Sequence, residues 1–317
     1  MRTARFVGDR RVEIHRAEPP LPGAGEARVQ LEGCGVCASN LPVWEGRPWF
    51  GYPMAPGAPG HEGWGIVDAV GPGVDGAWRG RRVAMISGHA YAEWDVAPAA
   101  ALVPVPDALA GRPCPGEPLA CAVNVLERAR LEPGETVAIV GVGFLGAVLV
   151  ALARDAGAVV LAVSRRPFAR DLARVLGAAD AVGATPGPAR ECVAARTGGR
   201  MADCVIEATG LQEPLDLATG LAATRGRLVI AGYHQDGRRE VDMQAWNWKG
   251  LDVINAHERD PAVYVSGMRR ALDLAASGRL PLDQLITHTH DLGALDQAFA
   301  LLCNRPSGFL KSVVRCH

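Results

Sequence analysis

From Thr136 the chain runs through Thr136-Val-Ala-Ile-Val140 straight into Gly141-Val-Gly143-Phe144-Leu145-Gly146, and an apolar, helix-like stretch follows. Few folds are open to a strand that feeds a helix through G-x-G-x-x-G. Gly141 permits the tight turn, Gly143 lets a pyrophosphate approach the backbone, and Gly146 lets helix and strand pack closely. The helix N-terminus then offers unpaired N–H groups to the phosphates. Alone, the glycine pattern is only a tight turn. Between a strand and a helix it points to a dinucleotide, with Phe144 and Leu145 counted among its contacts.

The surrounding pattern agrees. Residues 136–140, 159–163, 203–207, 227–231 and 252–255 are apolar runs that read as buried parallel strands. Residues 144–156, 168–176 and 213–223 read as the helices between them. This alternation predicts an α/β Rossmann domain, a doubly wound parallel sheet, over residues 117–256. Residues 1–116 differ. Short β-like runs at 28–31, 65–70, 82–86 and 91–96 are separated by Pro- and Gly-dense stretches, which suggests a β-barrel or sandwich-like domain. The tail, 257–317, holds two amphipathic helices (261–276 and 292–302) and a last strand near 310–314.

The second strand ends where many dinucleotide folds place an acid on the adenosine ribose, about 20 residues past the glycines. Here the turn is Ser164-Arg165-Arg166. A hydroxyl and two guanidinium groups suit the 2′-phosphate of NADP, which a carboxylate would repel. NADP is therefore the expected cofactor, with NAD the alternative if these arginines are merely solvated.

Bulk properties exclude other classes. Of 317 residues 49 % are hydrophobic and 21 % charged, so disorder is not expected, and a net charge of −1 draws the chain to neither nucleic acid nor an anionic membrane. No stretch approaches the roughly 20 apolar residues of a membrane span. The start, Met1 to Asp9, has charges and no apolar core, so no signal peptide is expected. Eight irregularly spaced cysteines read as free thiols in a reducing cytoplasm, one or two of them available to a metal.

A metal is the second theme. Gly33-Cys34-Gly-Val-Cys37-Ala-Ser39-Asn40 is followed by Gly60-His61-Glu62-Gly63. Cys, His and Glu are all zinc ligands, but one C-x-x-C without a second pair is not a structural zinc site. The residues alone leave open a metal centre on one side and buried thiols with a satisfied core histidine on the other.

The run GCGVCASN, then GHEGWGIVDAVGPGV, AYAEW, EPL and VAIVGVGFLG, resembles in order and over nearly the whole chain the zinc-containing medium-chain dehydrogenase/reductase superfamily. The resemblance implies a GroES-like β-barrel catalytic domain, the Rossmann domain, and a C-terminal return to the catalytic domain. It implies one catalytic zinc on Cys37 and His61, with Glu62 beside them. Glu117 matches the glutamate of polyol-dehydrogenase-like members, so Glu62 and Glu117 are both candidates for the third ligand. Cys121 is a weaker candidate, and Cys34 matches no ligand position. Ser39 matches the Ser/Thr that passes the alcohol proton outward. Thr209, Gly232 and Lys311 are expected as further cofactor contacts.

Three features depart from the pattern. Asn40 stands where an Asp often supports the zinc-bound histidine. Pro42 falls near the position of a relay histidine, which leaves water or Glu62 as the proton exit. The cysteine-rich lobe of a second zinc is missing. The expected activity is hydride transfer between NADP(H) and a secondary alcohol or ketone. Seven tryptophans, among them Trp44, Trp49 and Trp64 beside Phe50 and the candidate ligands, and Trp246 and Trp248 further on, favour a ring-containing substrate. Asn40, His89 and Asn124 would add polar contacts, as for a polyol, cyclitol or sugar derivative. The alternatives are a zinc-free quinone or enone reductase of the same superfamily, and a dinucleotide-binding sensor without turnover. Residues 251–256 would form an exposed apolar sheet edge, so a homodimer is expected.

Overall fold

A computed structural model describes residues 1–317 as two units, Met1–Ala120 with Asp260–His317, and Cys121–Arg259.

The first unit is mostly β. Strands β1 (Arg2–Gly8) and β2 (Arg11–Arg16) form an antiparallel hairpin. Strands β3 (Glu26–Gly35), β4 (Gly63–Val70), β5 (Arg82–Met85), β6 (Trp94–Pro98) and β7 (Leu102–Pro104) build most of a seven-stranded mixed sheet. The short helix α1 (Leu41–Trp44) follows β3. Sequence patterning did not reveal the hairpin or β7: β2 is half-exposed with no strict alternation, and β7 is three residues long.

Helix α2 (Gly116–Ala129) leads into the second unit. Its strands are β8 (Thr136–Val140), β9 (Val159–Val163), β10 (Asp180–Val182), β11 (Ala202–Glu207), β12 (Ala222–Ile230) and β13 (Asp252–Asn255). All pair in parallel, in the order β10-β9-β8-β11-β12-β13. The order reverses between β8 and β11, the switch point at which open α/β sheets bind ligands beyond the strands' carboxyl ends. The intervening helices are α3 (Phe144–Asp155), α4 (Pro167–Val175), α5 (Pro186–Thr197), α6 (Gln212–Leu221) and α7 (Met243–Lys249). Strand β10 and helix α5 were not anticipated. The strand has three residues, and α5 opens on Pro186-Gly-Pro188, which reads as a turn.

The chain then completes the first unit with α8 (Pro261–Ala276), α9 (Leu282–Leu285), β14 (His288–Asp291), α10 (Leu295–Asn304) and β15 (Ser312–Arg315). Strand β15 lies antiparallel to β3, pairing Val313 with Gly35. Phe299 of α10 plugs the core, edge-on to Phe6 at 5.5 Å and stacked on Trp44 at 5.7 Å. No helix is long and apolar enough to cross a membrane.

Candidate active site

Register explains how the candidate ligands meet. Strands β3 and β4 run antiparallel with Cys34 opposite Gly63. Cys37, just past the end of β3, therefore lies beside His61 and Glu62, which lead into β4. One ligand atom from each of Cys37, His61 and Glu62 falls within 4.8 Å of the others. Glycine makes the space: a Cβ on Gly35 would stand 1.7 Å from the Glu62 carboxylate. Sequence spacing cannot show this, because the constraint is between strands.

Each ligand is oriented from behind. The ring Nδ1 of His61 lies 2.9 Å from the Pro59 carbonyl, so Nδ1 carries the hydrogen and Nε2 is left for a metal. A backbone carbonyl thus does what a carboxylate at position 40 does elsewhere. Asn40 instead accepts the hydroxyl of fully buried Tyr91 at 3.1 Å. Ser39 donates to the Cys37 sulfur at 3.2 Å.

The charges fit a cation. Burial pushes His61 down, but Cys37, Glu117 and Glu62 outweigh it and raise the imidazole to about 10. Glu117, at the start of α2, thus adds its field to the same cluster. Groups that hold a proton on His61 in this way also favour a divalent metal in place of that proton. A donor set of one thiolate, one imidazole and one carboxylate, three protein ligands rather than four, suits catalytic zinc.

Lys311, expected at the cofactor, is 4 % exposed, and its ammonium donates to Glu62 Oε1 at 2.7 Å with Oε2 at 2.6 Å. The pairing of β15 with β3 delivers it there. Burial disfavours its charge, but Glu62 and Cys37 raise its affinity for the proton nonetheless. Lys311 therefore balances the charge behind the ligands. Trp44 and Trp64 pack in the core, 4 % and 3 % exposed, as isolated aromatics commonly do, and Asn124 spends its amide on the Ala256 carbonyl. Trp49 and Trp248 are exposed.

In the second unit the glycine-rich turn has the form that dinucleotide binding requires. Gly141 has φ +98°, and a Cβ on Gly146 would meet the Gly141 carbonyl at 1.9 Å. Gly143 caps α3 without a side chain, and a Cβ there would touch nothing. Open space beside Gly143, at the start of α3, is what a pyrophosphate on a helix N-terminus requires. At the end of β9, Ser164 is buried, Arg165 is exposed, and Arg166 donates to the Val142 carbonyl at 3.1 Å. Arg170 clamps the turn by donating to the carbonyls of Ser164 and Arg165, each at 3.0 Å. Phe144 and Leu145 open α3, and Thr209 and Gly232 lie at the carboxyl ends of β11 and β12.

Sequence reasoning missed the residue that joins those last two. Glu207, 0 % exposed, accepts from the amides of Thr209 (2.6 Å) and Gly210 (3.0 Å), from the Thr209 hydroxyl, and from His234 (3.0 Å). A carboxylate closing a buried strand was the only signal available.

Residues 23–107 match the family Alcohol dehydrogenase GroES-like domain, and residues 145–276 match Zinc-binding dehydrogenase. The chain is 26 % identical to 2-dehydro-3-deoxy-L-galactonate 5-dehydrogenase of Pseudoalteromonas atlantica, over 100 % of this chain and 99 % of that one. An alcohol dehydrogenase of E. coli CFT073 solved with NADH superposes with a TM-score of 0.88 at 25 % identity, covering 99 % of each chain. A zinc-binding dehydrogenase of Sinorhizobium meliloti 1021 solved with NADP gives 0.85 at 26 %, covering 99 % of this chain and 98 % of the other. With the ligand cluster and the glycine cradle in place, the chain belongs to the zinc-binding medium-chain dehydrogenase/reductase superfamily and is a zinc- and nicotinamide-dependent dehydrogenase.

Proposed function

We propose that this enzyme interconverts a polyol, cyclitol or sugar-derived secondary alcohol and its ketone, with NADP(H) as preferred cofactor. The observation that carries the chemistry is the convergence of Cys37, His61 and Glu62 within 4.8 Å. These three residues would hold one zinc, with Glu117 adding negative charge nearby. A zinc held there would supply Lewis acidity toward an alcohol or ketone oxygen, and a bound nicotinamide would supply or accept the hydride. The chain's own residues orient and move protons. Pro59 fixes the His61 tautomer, Lys311 balances Glu62, and Ser39, whose hydroxyl donates to the Cys37 sulfur, would take the alcohol proton. With no relay histidine at Pro42, that proton would leave through water.

Several observations support the finer points. Arg165 is exposed and no acid occupies the turn after β9, which favours a 2′-phosphate. The sugar-acid substrate of the Pseudoalteromonas relative supports a polyhydroxylated substrate. None of the eight cysteines is joined in a disulfide, which supports a reducing compartment such as the cytoplasm. Edge strand β13 leaves Val253 39 % exposed, with Met243 (52 %) and Trp248 (89 %) on the preceding helix, which supports a homodimer through that edge.

The test is purified enzyme assayed on a panel of polyols, simple alcohols and ketones with both cofactors, beside elemental analysis and sedimentation. We expect one zinc per chain, NADPH preferred over NADH, turnover of vicinal diols, and a dimer at micromolar concentration. Turnover that survives chelation at substoichiometric zinc would sink the mechanism. Preference for NADH would sink the cofactor assignment, and a monomer the assembly.

A further inference from the structure

The loops that leave β11 and β12 are tied into a closed ring of hydrogen bonds. Glu207 Oε1 holds the amides of Thr209 and Gly210 and the Thr209 hydroxyl. Glu207 Oε2 lies 3.0 Å from His234 Nε2. On the other side of that imidazole, Arg239 Nε donates to Nδ1 at 2.9 Å, and Arg239 Nη2 donates to the Gly210 carbonyl at 2.8 Å. The ring therefore runs Glu207, His234, Arg239, Gly210 and back to Glu207, and it holds the two peptide groups that flank the Gly210 Cα.

The hydrogens can be assigned. An N–H of Arg239 pointing at Nδ1 requires that nitrogen to be a lone pair, so His234 is the neutral Nε2–H tautomer and donates to Glu207. Three of the four donors to Glu207 converge on Oε1 and only His234 meets Oε2, so His234 is what fixes the second oxygen of the carboxylate. Because the Thr209 hydroxyl hydrogen is committed to Glu207, and its oxygen also accepts the Leu211 amide at 3.2 Å, Thr209 is held in one rotamer. That rotamer presses its methyl against the glycine-rich turn, where a Cβ on Gly141 would stand 2.3 Å from Thr209 Cγ2. The loops are equally close: a Cβ on Gly210 would meet the Tyr233 carbonyl at 2.4 Å.

We infer that His234 is a positioning residue for the cofactor, acting through Glu207 to set Thr209 and the loop ends beyond β11 and β12. This rests on the dinucleotide reading above and deepens it. In a doubly wound sheet one mononucleotide half lies over each side of the switch point. The adenosine half belongs over β8 and β9, where the arginine turn is, and the nicotinamide half over β11 and β12. A residue that shapes only the second half must affect NADH and NADPH alike.

The experiment measures dissociation constants for NADH and NADPH, by protein-fluorescence quenching and calorimetry, in the wild type and in His234→Leu, His234→Gln and Arg239→Met. Glutamine keeps a donor toward Glu207 and an acceptor toward Arg239, whereas leucine keeps neither. We expect His234→Leu to weaken both cofactors by about tenfold or more, in line with losing a hydrogen bond to a charged group. The NADPH-to-NADH ratio should stay unchanged, and so should zinc content. Glutamine should return both constants to within about threefold of wild type, and Arg239→Met should follow leucine with a smaller loss. If the leucine chain does not fold, the Arg239→Met and glutamine chains still decide between the outcomes. The inference is overturned if Arg239→Met and His234→Leu bind both cofactors as wild type does. It is also overturned if glutamine is as damaging as leucine, or if the loss falls on one cofactor alone. A wild type that binds neither dinucleotide would instead refute the underlying reading.

Discussion

The metal centre and the dinucleotide cradle are built on opposite principles. The first is made of side chains: a thiol, an imidazole, carboxylates and a buried ammonium, each oriented by a partner behind it. The second is made of absences: Gly141, Gly143 and Gly146 withhold side chains so that backbone N–H groups can meet phosphate. Side-chain sites fail by losing charge balance, whereas backbone sites fail by gaining atoms. Substitutions in the two should therefore have separable consequences.

The strongest test of that separation is Cys37→Ser. Loss of the metal's Lewis acidity, worth several kcal/mol, should cut turnover by about a thousandfold or more. Zinc content should fall well below one per chain while cofactor dissociation constants stay within about twofold. A large change in cofactor affinity would break the contrast.

Next in size is Lys311→Met. Stranding Glu62 as a buried, uncompensated charge should cost about 3–5 kcal/mol of stability, read from denaturant unfolding. Adding Glu62→Gln should recover most of that stability without restoring zinc binding. If the single variant is as stable as wild type, the ammonium is not balancing the site.

Two smaller effects probe the cradle. Replacing Arg165 and Arg166 by alanine should weaken NADPH by about a hundredfold, since each charge-assisted contact is worth about 1.5–3 kcal/mol before screening. NADH should change by no more than about threefold, and equal losses for both cofactors would show that the arginines only shape the turn. Gly141→Ala adds a methyl where φ is +98° and Thr209 Cγ2 is 2.3 Å away. Overpacking of about 1–3 kcal/mol predicts a tenfold to hundredfold loss for both cofactors in titrations, with zinc retained.

Legibility differed between the two sites for the same reason that their construction does. The cradle is contiguous: strand, glycines and helix follow one another from Thr136 to Asp155, so local pattern and turn chemistry suffice to read it. The metal ligands were legible as residue types, but their meeting depends on the β3–β4 register. Family resemblance, rather than spacing, made that reading specific. The pairing of Lys311 with Glu62 was not legible, because a strand pairing with β3 brings the two together across 249 residues of chain.

Sequence alone thus determined the doubly wound domain, the β-rich partner and the ligand types, because each rests on periodicity or on chemistry carried within a few neighbouring residues. It did not reveal β10 or α5, which are too short or too turn-like to show a period. Only the tertiary structure decided which groups stand behind the ligands. Pro59 rather than Asn40 orients His61, Lys311 neutralises Glu62, and His234 reaches Glu207. Such contacts join residues by register and close backbone approach across the fold, and a buried polar group takes whichever partner the packing brings within hydrogen-bonding distance.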